Sequence, residues 1–216
     1  MVDVSQLIRD AWDNNDPYGW FEQLYTHAQK GDASVPWALM QPNPDLVQWL
    51  DQHQIDGKNK RALVVGCGLG DDAHELAQRG FNTTAFDVSP TAIQWAKHRF
   101  PHANVDFQVH DLFKTPESWR GVFDFVLEIR TIQSLPYTLA EQCMTQIASY
   151  VKPGGTLLVI CNGREPEQER RGIPWALSTV ELAFFHQLGL SQQRFEDLQN
   201  TRQFRVEYRK EENQND

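Results

Sequence analysis

The sequence predicts an α/β fold built on a mostly parallel sheet, and three observations carry that expectation. Short apolar, β-branched runs recur along the chain and alternate with stretches of helical periodicity. Acidic residues stand at the C-terminal ends of several of those runs. A glycine turn with Gly66, Gly68 and Gly70 joins one run, Ala62 to Val65, to a helical pattern opening at Asp71 and Asp72.

The elements follow in order. Ala62 to Val65 reads as a buried strand, and the glycines after it allow a tight turn and close approach of backbone to a ligand. The helix end that follows turns unpaired N–H groups toward the same place. A second run, Asn82 to Phe86, leads into Asp87, which lies 21 residues past Gly66, where a carboxylate can accept both hydroxyls of a ribose. A helix over Thr91 to Arg99 ends before Pro101. A third strand, Val105 to Val109, runs into His110, Asp111 and Leu112, with Asp111 placed to accept an adenine amino group. A fourth, Phe123 to Leu127, ends at Glu128.

Further along, Ala140 to Tyr150 reads as a helix, Lys152 to Gly155 as a turn and Thr156 to Ile160 as a fifth strand. Asn162 to Gly172 reads as a charged, mobile loop. Ser178 caps a helix running to about Leu188, with Gly189 as its stop. Gln193 to Leu198 and Phe204 to Tyr208 alternate as a final hairpin, with Phe195, Phe204, Val206 and Tyr208 assigned to the core.

The glycine spacing bears on the ligand. A dinucleotide turn, G-x-G-x-x-G, would place its third glycine at position 71, where this chain has Asp71 followed by Asp72. Helix capping and first-turn charge account for two carboxylates there. They would also repel a diphosphate. They suit a ligand without phosphate, such as S-adenosylmethionine, which carries a ribose, an ammonium and a sulfonium.

Taken together, GCGLG at 66–70, FDVSP with Asp87, VHDLF with Asp111, FDFVLE with Glu128 and VKPGGTLLV resemble the ordered motif set of class I S-adenosylmethionine-dependent methyltransferases. The resemblance implies a Rossmann-like, seven-stranded, mostly parallel sheet with helices on both faces and an antiparallel C-terminal hairpin. It implies that Gly66, Cys67, Gly68 and Gly70 line the methionine moiety, that Asp87 binds the ribose hydroxyls with Val88 beside the adenine, and that Asp111 and Leu112 frame the adenine. Glu128 and Ile129 would border the sulfonium and the acceptor. Segments around Gly19 to Tyr25, Val35 to Ala38, Pro42 to Val47 and Ile173 to Ser178 are similar to the thiopurine and halide/thiol methyltransferase group, which places Trp37 over the cofactor. Ala38 and Gln41 depart from that group's pattern.

The organisation expected is a helical extension or lid over residues 1–40, a methyltransferase domain over 41–210 and a polar tail over 211–216. The 216 residues fit one α/β domain, and no stretch approaches the length of a membrane span. Three cysteines leave at least one unpaired and read as free thiols in a cytoplasmic protein, with no signal-peptide pattern at the start. A formal charge of −9 argues against a nucleic-acid substrate. A monomer with a small-molecule substrate is expected.

Other chemistries lack their motifs: there is no phosphate loop, no nucleophile elbow, and no metal-ligand spacing among the histidines. After the fourth strand the chain reads Glu128-Ile129-Arg130-Thr131, without the proline-aromatic motif of amine-methylating base methyltransferases. Glu128, His110 and Arg130 are the candidates for a catalytic role, and none is a convincing base. This favours an acceptor that is soft or already ionised, such as a thiol. Tyr18, Trp20, Trp37 and Trp175 are candidates for an aromatic lid against the sulfonium, with packing onto the sheet as the other reading of Trp20 and Trp37. Arg130 is placed to meet an anionic acceptor or to pair with Glu128. Two alternatives are a protein methyltransferase and a protein that binds the cofactor without turning it over; S-adenosylhomocysteine is the product only in the catalytic cases.

Overall fold

The computed structural model describes residues 2–199 and 201–212. Two helices come first, α1 (Val4–Asp13) and α2 (Gly19–Gln29), followed by α3 (Pro44–Gln52), in which Asn43 accepts from the N–H groups of Asp45 and Leu46 and Pro44 fixes the first turn. Then β1 (Arg61–Val65), α4 (Asp71–Gln78), β2 (Asn82–Asp87), α5 (Pro90–Arg99), β3 (Val105–Val109) and β4 (Phe123–Ile129) alternate. The chain closes with α6 (Ala140–Tyr150), β5 (Val151–Asn162), α7 (Thr179–Leu182), α8 (Phe184–Gln187), β6 (Leu190–Leu198) and β7 (Gln203–Lys210).

The seven strands form one sheet in the order β3-β2-β1-β4-β5-β7-β6. The first five run parallel, and β7 is antiparallel to both β5 and β6. This is the fold class the sequence predicts. Ala62, Leu63, Val64 and Val65 are no more than 4% exposed, so after Arg61 β1 is apolar on both faces instead of alternating. Its two faces feed separate cores. Leu63 and Val65 join Phe86, Val126, Leu157 and residues of α6, whereas Ala62 and Val64 join Ala85, Leu127, Leu158 and residues of α3, α4 and α5. Beside β1 stand β2 on one side and β4 on the other, which opens a crevice at their C-terminal ends. Among the described residues no helix is long and apolar enough to cross a membrane.

Four expectations are corrected. The turn expected at Lys152 to Gly155 lies inside β5, because Val151 already pairs with Phe123 and the irregularity is absorbed by a register shift. The helix expected from Ser178 to Leu188 has its capping box, Ser178 with Glu181, but breaks at Ala183 into two four-residue pieces. Leu182 and Phe185, three apart and both buried, favour that tighter turn. The loop read as mobile is tied down: Arg164, 8% exposed, pairs with Glu181 and donates to the carbonyls of Ala176, Glu165, Pro166 and Gln168. Phe195 is 38% exposed, since β6 is an edge strand with one face in solvent, where its ring lies against Phe204. The tail expected at 211–216 lies outside the described residues from 213 on.

A buried arginine fastens the C-terminal hairpin to α3. Arg205 on β7 is 1% exposed and donates to both oxygens of Glu196, to the Asp45 carbonyl and to the side chains of Gln48 and Gln52. Arg205→Ala removes these bonds while Glu196, Gln48 and Gln52, which reach solvent, regain water, and is expected to cost about 1–3 kcal/mol of unfolding free energy in a denaturant titration. A loss below ~1 kcal/mol would show that the cluster contributes little.

Candidate active site

A cavity of about 260 Å³ occupies the crevice at the C-terminal ends of β1, β2, β3 and β4. Its floor is the glycine turn. Cys67 N donates to the Phe86 carbonyl and Gly68 N to Asp87 Oδ2, both at 2.9 Å, so the turn is stitched to the end of β2. Gly68 has φ +52°, and a Cβ there would come within 3.0 Å of the Tyr25 hydroxyl. Gly70 serves packing: at φ +87° its missing Cβ makes room for the Phe107 ring and Ala96, which would otherwise lie 2.9 and 3.0 Å away.

Asp87 is the pivot of the site. Its Oδ1 accepts from Ser89 N and its Oδ2 from Gly68 N, each at 2.9 Å, and it borders the cavity. Each carboxylate oxygen keeps a further lone pair. Burial pushes its pKa up to about 6 against the pull of those N–H groups. Across the cavity, Asp111 Oδ1 accepts from Phe113 N (2.9 Å) while Oδ2 accepts from the Tyr18 hydroxyl (2.6 Å) and pairs with Lys114.

The N-terminal helices roof the cavity through polar ties. Glu22 on α2 accepts from the Ser89 and Thr91 hydroxyls and from Thr91 N, capping the start of α5 from outside. Those donors hold its carboxyl below the usual range in spite of burial. Trp37 Nε1 donates to the Tyr25 hydroxyl at 2.9 Å. On the far side Asn43 N donates to Asp72 Oδ1 at 2.7 Å, and Arg99 grips Asp71 with two bonds of 2.6 Å. The two aspartates read as first-turn charge therefore also latch neighbouring segments to α4.

Of the residues singled out from sequence, Tyr18, Trp37, Gly66, Cys67, Gly68, Asp87, Val88, His110, Asp111, Leu112, Ile129 and Arg130 border this cavity. Gly70, Trp20, Glu128 and Trp175 do not. Trp20 is 1% exposed and packs with Ala11 and Leu24, its ring stacked on Phe21. Trp175 donates from Nε1 to the Leu135 carbonyl at 2.8 Å and is 4% exposed, so its neighbour Pro174 reaches the cavity instead. Glu128 is fully buried; its Oε1 accepts from Ile132 N at 2.9 Å, which holds the Arg130–Thr131 bend in place, and burial raises its pKa to about 7. Arg130 does not pair with Glu128, and its Nε is buried without a partner. His110 Nε2 is held by Gln108 at 2.9 Å.

Sequence reasoning missed Glu22, Tyr25, Asn43 and Thr131. Only Asn43 had a local signal, its position before Pro44 at a helix start.

Asp71, Asp72, Asp87, Asp111 and Arg130 border the cavity; with Arg99 paired to Asp71 and Lys114 to Asp111, Asp72 and Asp87 remain against the one guanidinium. That balance attracts a cationic ligand and repels a diphosphate.

Residues 62–155 match the family model described as a methyltransferase domain. The chain is similar to the 2-heptyl-1-hydroxyquinolin-4(1H)-one methyltransferase of Mycobacteroides abscessus, 30% identical over 131 residues, covering 59% of this chain and 56% of the relative. It is also similar to the probable thiol methyltransferase 2 of Arabidopsis thaliana, 26% identical over 148 residues, covering 66% and 62% of the two chains. The matched region thus spans little more than half the length of these curated relatives. Among solved structures, the magnesium protoporphyrin IX methyltransferase of Synechocystis PCC 6803 with bound S-adenosylhomocysteine superposes with a TM-score of 0.66 at 17% identity, covering 95% of this chain and 99% of that one.

The pH dependence of stability follows from two buried acids, Asp87 and Glu128, and the half-buried Asp72. Asp72 and Asp87 (each raised to about 6 from 3.8) and Glu128 (raised to about 7 from 4.5) bind protons in the folded state that the unfolded chain has released. The stability linked to them is complete below their ordinary values and is lost as pH rises through 6 and 7. Unfolding free energy of the ligand-free protein is therefore expected to be higher at about pH 5.5 than at about pH 8, and Glu128→Gln should narrow the gap. Stability that increases toward pH 8 would contradict these assignments.

Residues 62–155 match a methyltransferase domain, and the whole sheet has the Rossmann-like architecture of the solved methyltransferase on which it superposes.

Proposed function

We propose that this protein is an S-adenosylmethionine-dependent methyltransferase whose acceptor is a small molecule with a soft or already ionised attacking atom, a thiol being the leading class. The observation that carries the proposal is the acidic cavity at the sheet's switch point, in which Asp87 is held by Gly68 N and Ser89 N with lone pairs left for a ribose. In this reading Val88, Asp111 and Leu112 flank the adenine, Cys67 and Gly68 approach the methionine portion, and Ile129 borders the sulfonium. The cofactor supplies an electrophilic methyl group on a cationic sulfur.

The chain's own part is orientation and exclusion of water. With the cofactor bound, the cavity would hold an acceptor so that its lone pair could displace the neutral thioether from the methyl carbon. Holding the attacking atom in line can supply about 7–11 kcal/mol. Phe21, Phe113, Leu135 and Pro174 give the cavity apolar walls suited to a small organic acceptor. Two hydroxyls near those walls, those of Tyr18 and Ser134, are committed. Tyr18, with its pKa pushed up to about 12 chiefly by burial, donates to Asp111, and Ser134 donates to the Arg130 carbonyl. A thiol that enters as its thiolate needs no proton removed by the protein. The roof of α2 and residues 35–41 favours a small acceptor over a protein one.

Incubation with the cofactor and a panel of thiols, phenols and amines should release S-adenosylhomocysteine, fastest with thiols at a pH above their pKa. Cofactor binding without turnover on any acceptor would favour a non-catalytic binding protein. Asp87→Ala should weaken cofactor affinity by tenfold or more, since each hydrogen bond to a charged group is worth about 1.5–3 kcal/mol. Unaltered affinity would remove Asp87 from the ribose site.

A further inference from the structure

Two loops meet beside the cavity, one after β4 and one after β5. The first borders it through Thr131, Ser134 and Leu135, the second through Pro174. Between them stands Gln133, in the middle of a 3₁₀ turn (Ile132–Ser134), 0% exposed and outside the cavity. An amide buried this completely needs partners for its donors and its acceptor.

The end of β5 and the second loop supply all of them. Gln133 Oε1 accepts from Asn162 N at 2.8 Å, and Nε2 donates to the carbonyls of Asn162, at 2.9 Å, and Trp175. One N–H donor and two carbonyls around a single amide also fix which way it points. The Gln133 carbonyl accepts from Trp175 N at 3.0 Å, and the Leu135 carbonyl accepts from Trp175 Nε1 at 2.8 Å. Each polar group of Trp175 is therefore bonded to Gln133 or Leu135, and Pro174 is carried to the cavity by a neighbour with no freedom of its own. Among the described residues no strand pairing joins the two loops. The bonds of Gln133 stand in for a ladder. The cofactor floor is tied separately, through Asp87 to Gly68 and Ser89.

We infer that Gln133 is a positioning residue for the methyl acceptor: by fusing the two loops it fixes where the wall of Leu135 and Pro174 stands, and so sets the width of acceptor that fits. The inference rests on the acceptor reading proposed above. Gln133 touches neither ligand and acts through Leu135 and Pro174.

Two variants test this. Gln133→Met is close in volume but leaves Asn162 N and the Trp175 carbonyl without their side-chain partner. Trp175→Phe keeps the buried ring and removes only the bond to the Leu135 carbonyl. Initial rates are measured with S-adenosylmethionine and either thiophenol or the wider para-tert-butylthiophenol, and S-adenosylhomocysteine affinity is measured by calorimetry. The wild-type protein is expected to prefer thiophenol. Gln133→Met should lower kcat/KM for thiophenol by about tenfold or more, as misplacement of a reacting group does, and narrow that preference by at least about threefold. Its S-adenosylhomocysteine affinity should stay within about twofold, as for a separately tied site. Trp175→Phe should shift the preference in the same direction by less, and it carries the test alone if Gln133→Met does not fold. An unchanged preference in every variant that folds overturns the inference, as does wild-type protein that takes both thiols equally. Equal loss of acceptor turnover and S-adenosylhomocysteine affinity also overturns it, marking a general structural role. Wild-type protein that binds S-adenosylhomocysteine but methylates neither thiol removes the acceptor reading, and the role of Gln133 with it, while leaving the cofactor site standing.

Discussion

The Asp87 carboxylate is the constraint on which the rest of the site depends. One side chain at the end of β2 accepts from the glycine turn after β1 and from the N-cap of α5. Three segments are thereby held at one point, at the place where the sheet opens between β1 and β4. Burying a carboxylate is unfavourable, and the upward displacement of its pKa records that cost. Two backbone N–H groups offset part of it. A pair of ligand hydroxyls would offset more, so in the proposed reading one group serves as both structural strap and recognition element.

Above that floor, the N-terminal helices are joined to the sheet domain by ties with polar partners on both sides. Glu22 grips the start of α5 and Tyr18 grips Asp111, while Trp37 is bonded to Tyr25 within the roof itself. Each contact can be exchanged for water at small net cost. The same segment also buries apolar surface on the sheet domain, Tyr25 and Val35 packing with Leu69 and Ala92 and Tyr18 and Phe21 lying against the main core, so the roof is held by both kinds of contact.

Much of this was legible in the sequence because the signals are local. Apolar runs located β1 to β4 to within a residue or two, and Gly66, Gly68 and Asp87 were found from their spacing. What stayed hidden depends on partners distant in the chain. Glu22 meets Ser89 and Thr91 across 67 and 69 residues, and Asp72 meets Asn43 across 29, separations at which periodicity carries no information. Aromatic composition could not say which tryptophan faces the cavity: Trp37 does, while Trp20 and Trp175 pack away from it. The start of β5 was misplaced because Gly154 and Gly155 read as a turn, whereas they form a bulge within the strand, Val151 pairing with Phe123 before it and Thr156 with Phe125 after it.

Thermal unfolding with S-adenosylmethionine, S-adenosylhomocysteine and NADH tests the central claim most directly, because the three share an adenosine and differ in charge. At 100 times its dissociation constant a ligand stabilises the fold by ~2.7 kcal/mol, or roughly 5–11 °C for a domain of this size. The acidic cavity predicts shifts of that order with the two adenosyl ligands and none with the diphosphate. A shift with NADH alone, or none with the adenosyl ligands, would contradict the reading of the glycine turn and of Asp87.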